Sequence, residues 1–198
     1  MPRGAARRTF APWLAAVALV VACLALVAAW PDEEPVAARL DRGIGLFTSL
    51  PILWRETGEI GDLLNPDAPP HPALAVLSRH GRVTALDTLA DAGGNLPLAP
   101  GALLVMAQPR PLSPQENVAL DSWVRGGGHV LLFADPLLTG HSDFAIGDRR
   151  RPQDVVLLSP ILARWGLELR FNEAQPAGEH VVALDGVDVP VNLPGRLA

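Results

Sequence analysis

The chain has no lysine and no tyrosine, and its only cysteine is Cys23. The scarcity of thiols excludes a disulfide framework, a thiolate metal centre and a cysteine nucleophile anywhere after that position. It does not exclude an extracytoplasmic location, because a domain of this size can bury enough core without disulfides. Basic charge is also scarce. All 16 basic residues are arginine, and Arg3, Arg7 and Arg8 precede the first acidic residue, Asp32. Thirteen arginines therefore face all 21 Asp and Glu in the rest of the chain. Nucleic acid needs a basic face to neutralise phosphates, so it is excluded as a partner. An anionic lipid surface is disfavoured for the same reason.

Charge is absent altogether from Phe10 to Trp30, where Ala, Val and Leu dominate. About 20 apolar residues at a rise of roughly 1.5 Å span the hydrocarbon of a bilayer. Arginines precede the run and Asp32, Glu33 and Glu34 follow it, which places the N-terminus in the cytoplasm. Trp13 and Trp30 stand at its two ends, where indole rings favour the interface. The composition, rich in Arg, Ala, Pro and Gly, fits a GC-rich bacterial genome. The expectation is a single-pass protein of a bacterial inner membrane, with four parts. Residues 1–9 are cytoplasmic, 10–30 are a signal anchor, 31–70 a tether and 71–198 a periplasmic domain. A cleaved signal peptide competes with the anchor, with Val27-Ala28-Ala29 as its cleavage site. Within that reading, Arg7-Arg8-Thr9-Phe10 resembles the core of a twin-arginine export signal.

The later sequence alternates helix and strand patterns. Pro72–His80 reads as a helix stopped by Gly81, and Arg82–Leu86 as a strand. Ala102–Ala107 is a continuous apolar run, the pattern of a strand covered on both faces. Ser113-Pro114-Gln115-Glu116 opens a helix with a capping box, and Val118, Leu120, Trp123 and Val124 form its apolar stripe. His129–Ala134 reads as a buried strand, Leu157–Trp165 as a helix, and Leu167–Phe171 as a further core strand. Val181–Leu184 and Val187–Val191, joined by Asp185-Gly186, read as a hairpin that extends one sheet edge. This alternation predicts an α/β fold, a three-layer sandwich with a mostly parallel sheet. Gly43–Ile52 lies in the tether as an apolar, punctuated stretch, a candidate strand with a turn.

Leu103–Pro136 contains Leu-Leu-Val-Met-Ala-Gln-Pro-Arg-Pro-Leu-Ser-Pro and then Leu-Asp-Ser-Trp-Val-Arg-Gly-Gly-Gly-His-Val-Leu-Leu-Phe-Ala-Asp-Pro. The stretch resembles the extracytoplasmic domains of GldG-like proteins, auxiliary components associated with ABC transporters. It also resembles membrane-anchored bacterial proteins with the same core. The resemblance, over roughly residues 72–172, implies an amidotransferase- or flavodoxin-like fold without a catalytic cysteine. It further implies a protein partner in a membrane assembly. The single anchor departs from the larger transporter-linked members.

In open parallel sheets, ligands bind beyond the carboxyl ends of the strands. Gln108 and Asp135 fall there, with His141 and Asp143 shortly after. Asp135 with His141 has the composition of an acid–base or metal pair, set against a strand-ending turn and a solvated histidine. Arg149, Arg150 and Arg151 are the one basic cluster, suited to an anion or an acidic partner, set against a solvated loop. Gly126-Gly127-Gly128 follows a helix and precedes a strand, so it reads as a C-cap and turn rather than a phosphate loop. Ser113 and Ser142 lie outside any Gly-x-Ser-x-Gly elbow. The expectation is therefore a non-catalytic binding domain without cofactor or metal. A small-ligand module of the envelope and a hydrolase using Asp135 and His141 are the alternatives.

Overall fold

Four short apolar segments pair side by side, all parallel, because each is flanked by helix or loop long enough to bring the chain back to the same edge. In this computed structural model, which describes residues 43–54, 56 and 69–198, they are β1 (Ile44–Thr48), β2 (Val83–Ala85), β3 (Leu103–Ala107) and β4 (His129–Phe133). Their order is β2-β1-β3-β4. Ile44 pairs with Val83 on one side and Leu103 on the other, and Leu103 with His129. The described residues fall within one compact unit of the chain. None of their helices is long and apolar enough to cross a membrane. The cytoplasmic segment 1–9, the span expected over 10–30 and Cys23 lie outside the described residues.

Alternation along β1 and β3 divides the core in two. Ile44, Leu46, Val105 and Ala107 face α1 (Pro72–His80), which packs Ala73, Leu74 and Leu77 against them. Phe47, Leu104 and Met106 face the other way. There they meet Leu120 of α2 (Pro114–Arg125) and Ile161 and Leu162 of α3 (Ser159–Arg164). Asp121 joins these two helices, accepting from Arg164 Nε at 3.1 Å and Trp165 Nε1 at 3.2 Å. Gly45 stands at a close approach, where a Cβ would lie 2.5 Å from Leu98 Cδ1 and push that side chain aside. The glycine run after α2 is a turn: Gly127 has φ +92° and the Trp123 ring closes onto Gly128.

Several elements differ from the pattern reading. The segment expected as a tether contains β1, which is an inner strand of the sheet rather than part of a linker. β4 is covered on one face only: Val130 and Leu132 join the core, whereas Leu131 and Phe133 are exposed. On α2, Val118 points to solvent, and Ala119 and Leu120 take the buried face. The expected core strand at Leu167–Phe171 is only β5 (Leu169–Arg170), which pairs antiparallel with β8 (Arg196–Leu197) outside the main sheet. β6 (His180–Leu184) and β7 (Val187–Val191) form the expected hairpin, turned by Asp185 and Gly186, both at positive φ. It stands as its own two-stranded sheet and does not extend the parallel one.

Candidate functional site

The connection after β1 runs toward β2 and that after β3 toward β4, so the two chains diverge at the carboxyl ends of β1 and β3. Such a switch point is where open α/β sheets hold their ligands. Here Gln108 closes it. The residue is 3 % exposed and left-handed, with φ +43°. That conformation aims its N–H at Phe133 O, 2.8 Å away, and its carbonyl at Ser49. Its side-chain amide donates to Gln153 O at 2.8 Å and Asp135 O at 3.1 Å, while its Oε1 accepts from Asp135 N at 2.9 Å. The polar atoms of Gln108 thus tie the end of β3 to the ends of β1 and β4 and to the loop around Gln153. Ser49 completes the closure, donating its hydroxyl to Gln108 O and accepting from Gln153 N at 2.9 Å.

Beside this closure an open cleft of about 350 Å³ lies beyond β1 and β2. Phe47, Thr48, Ser49 and Leu86 form one part of its wall. Asp87, Arg110, Arg149 and Gln153 supply the rest. Arg110 is fixed from three sides. Its guanidinium lies 4.9 Å from the centroid of the Phe47 ring, donates to Asp87 O at 2.7 Å, and forms a two-pronged pair with Glu116 at 2.7 and 3.0 Å. Glu116 is buried and also serves as the acidic member of the capping box, accepting from Ser113 N at 2.8 Å while Ser113 Oγ caps Glu116 N. Leu89 N donates to it as well, at 3.1 Å. Burial pushes the Glu116 carboxyl up. The Arg110 hydrogen bonds, the Ser113 and Leu89 amides and the Arg110 charge outweigh that and hold it at about 2.

The basic cluster divides. Arg150 pairs with Asp148 at 2.7 Å and covers the Phe144 ring at 4.2 Å. Arg151 pairs with Asp154 at 3.1 Å and donates to Phe144 O at 2.8 Å. Both arginines therefore shape the loop. Arg149 makes no hydrogen bond or ion pair among the described residues, and it alone of the three reaches the cleft. The loop is also fastened to Glu56, which accepts from Ser142 Oγ, from Asp143 N at 2.6 Å and from Phe144 N. Burial raises the Glu56 carboxyl, and these donors with the Arg151 charge bring it below the usual range.

The other sequence candidates do not converge. Asp135 Oδ1 accepts from Leu137 N at 2.9 Å, the strand-ending turn. His141 is 90 % exposed in its side chain, and its acidic neighbour is Asp143 at 3.4 Å, not Asp135. No group of three or more His, Cys, Asp or Glu side chains among the described residues could hold a metal ion. Sequence reasoning missed Arg110, Asp87 and Gln153. Glu116 was visible only as a cap. The run Pro109-Arg110-Pro111 just after a buried strand was a usable signal, since two prolines fix the backbone from which the guanidinium projects.

Residues 65–196 match the profile of the family described as Domain of unknown function (DUF4350), and the chain belongs to it. No curated protein and no solved structure matches the chain.

Proposed function

We propose that this chain is a non-catalytic binding domain that works through the carboxyl-end face of its parallel sheet. In this reading the apolar segment 10–30 holds it in a bacterial inner membrane, with the domain on the periplasmic side and a protein partner in an ABC-transport-related assembly. The finer fold expectation, a three-layer amidotransferase- or flavodoxin-like domain without its nucleophile, belongs to the same reading. The observation that carries it is the contrast at that face. Gln108 and Asp135 spend their polar atoms within the protein, while the neighbouring cleft offers the guanidinium of Arg149, unpaired among the described residues. An acid–base pair needs its two groups within hydrogen-bond reach of a common proton. The carboxylate nearest His141 is that of Asp143 instead.

The test is affinity purification of the full chain from crosslinked membranes, with mass spectrometry of what accompanies it. A defined membrane complex that is recovered with the wild type and depleted with Arg149→Glu supports the accessory role. Recovery of the protein alone overturns that role and leaves a small-ligand module, the reading favoured by the size and charged lining of the cleft. Its volume sits at the lower end of the roughly 300–1,000 Å³ typical of small-molecule sites.

A further inference from the structure

We propose that the cleft beyond β1 and β2 takes a small zwitterion, an amino acid or short peptide, with Arg149 receiving its carboxylate and Asp87 its ammonium group. This rests on the small-ligand reading of the cleft given above.

Charge accounting leads to this ligand class. Arg110, Arg149 and Asp87 are the charged residues that line the cleft, and Glu116 stands behind Arg110. Arg110 and Glu116 cancel, locked to each other by two hydrogen bonds. The Arg149 guanidinium and the Asp87 carboxylate remain. Neither side chain makes a hydrogen bond among the described residues, and they form no ion pair with each other. Asp87 contributes only its main-chain oxygen, which holds Arg110 at 2.7 Å. Its carboxylate acts on Arg110 through charge alone. A simple anion such as phosphate would meet Arg149 but face the repulsion of Asp87. A simple cation would meet Asp87 and face Arg149. A ligand carrying both charges satisfies both groups and leaves the cleft neutral.

The remaining wall points the same way. The Thr48 and Ser49 hydroxyls donate to Ala107 O and Gln108 O and accept from Leu50 N and Gln153 N, so each has no proton and at most one lone pair left for a ligand, and the charged groups carry recognition. Guanidinium and carboxylate match as planar, two-pronged partners. A space of about 350 Å³ suits an amino acid or dipeptide better than a nucleotide.

The experiment titrates the full-length protein in mild detergent with free L-amino acids and dipeptides, followed by calorimetry. Each binder is repeated as its N-acetyl and its C-amide derivative, and inorganic phosphate serves as the anion-only probe. The expected result is saturable binding of at least one free zwitterion. That affinity falls about tenfold or more on acetylation, on amidation, and in Arg149→Ala and Asp87→Asn, the scale of one lost charge-assisted hydrogen bond. Both residues are exposed, so these variants keep the wild-type melting temperature. Zwitterion binding indifferent to both substitutions overturns the proposal. Phosphate binding alone, abolished in Arg149→Ala, overturns the ligand class and leaves the cleft as a binding site. Binding of no probe overturns the small-ligand reading together with the proposal.

Discussion

The parallel sheet and the C-terminal hairpin use the same vocabulary of Val, Leu and Ala in different surroundings. β3 reads Leu-Leu-Val-Met-Ala and is buried between α1 on one side and α2 with α3 on the other. β6 and β7 set Val182, Leu184, Val187 and Val189 on one face by their register, yet Val182, Leu184 and Val187 are exposed. An apolar alternation thus specifies a strand and its faces, but not what covers them. Coverage comes from helices elsewhere in the chain, and the hairpin has none packed against that face among the described residues. A two-stranded ribbon by itself draws little stability from burial.

That contrast predicts a gradient of mutational cost. The largest loss is expected from Leu104→Ala, since this side chain is fully buried under α2 and α3. Urea unfolding of the variant loses about 2–5 kcal/mol, through transfer plus cavity. A loss near that of a surface change would mean that the sheet is not the packed centre. Next comes Glu116→Gln, at about 2 kcal/mol, because it breaks a largely buried pair whose arginine partner still reaches water. It also changes the response to acid. The Glu116 carboxyl is held at about 2, below its ordinary 4.5, so its contribution is fully present above the ordinary value. That contribution drains away as pH falls from 4.5 toward 2. Melting temperature against pH is therefore flatter over that window in Glu116→Gln than in the wild type.

Gly45→Ala follows at about 1 kcal/mol, because the new methyl presses on the movable end of Leu98. The smallest effect is expected on the hairpin. Leu184→Ser, at a side chain 57 % exposed, shifts the unfolding midpoint by no more than about 0.5 kcal/mol equivalent. A larger loss would show that something covers this face in solution.

Local chemistry made part of this legible. The Ser113–Glu116 capping box, the Pro72–His80 helix and the Asp185-Gly186 turn depend on neighbours a few residues away, and each stands where the pattern put it. β1 was harder to read, because Gly45 interrupts its apolar run and the reason for that glycine, the crowding of Leu98, lies fifty residues on. Edge and centre were also hard to separate by composition: apart from His129, His129–Phe133 is as apolar as Leu103–Ala107, and topology leaves one face of the former bare. At the site, Gln108 lay at the expected strand end, but its saturation by Asp135 and Gln153 is a property of long-range packing. The separation of Arg149 from Arg150 and Arg151 followed from which of them found a carboxylate close by.

The position of β1 has a consequence in time. As an inner strand it needs partners on both edges, and Thr48 meets Ala107 only after a further 59 residues of chain. At ribosomal rates of about 5–20 residues per second, that is a wait of roughly 3–12 s. Until it ends, Ile44–Phe47 has at most the short β2 on one edge, although it later becomes one of the most deeply buried segments. The first strand among the described residues is thus completed late, and nascent-chain protection against aggregation matters most in that interval, before Leu103–Ala107 leaves the exit tunnel.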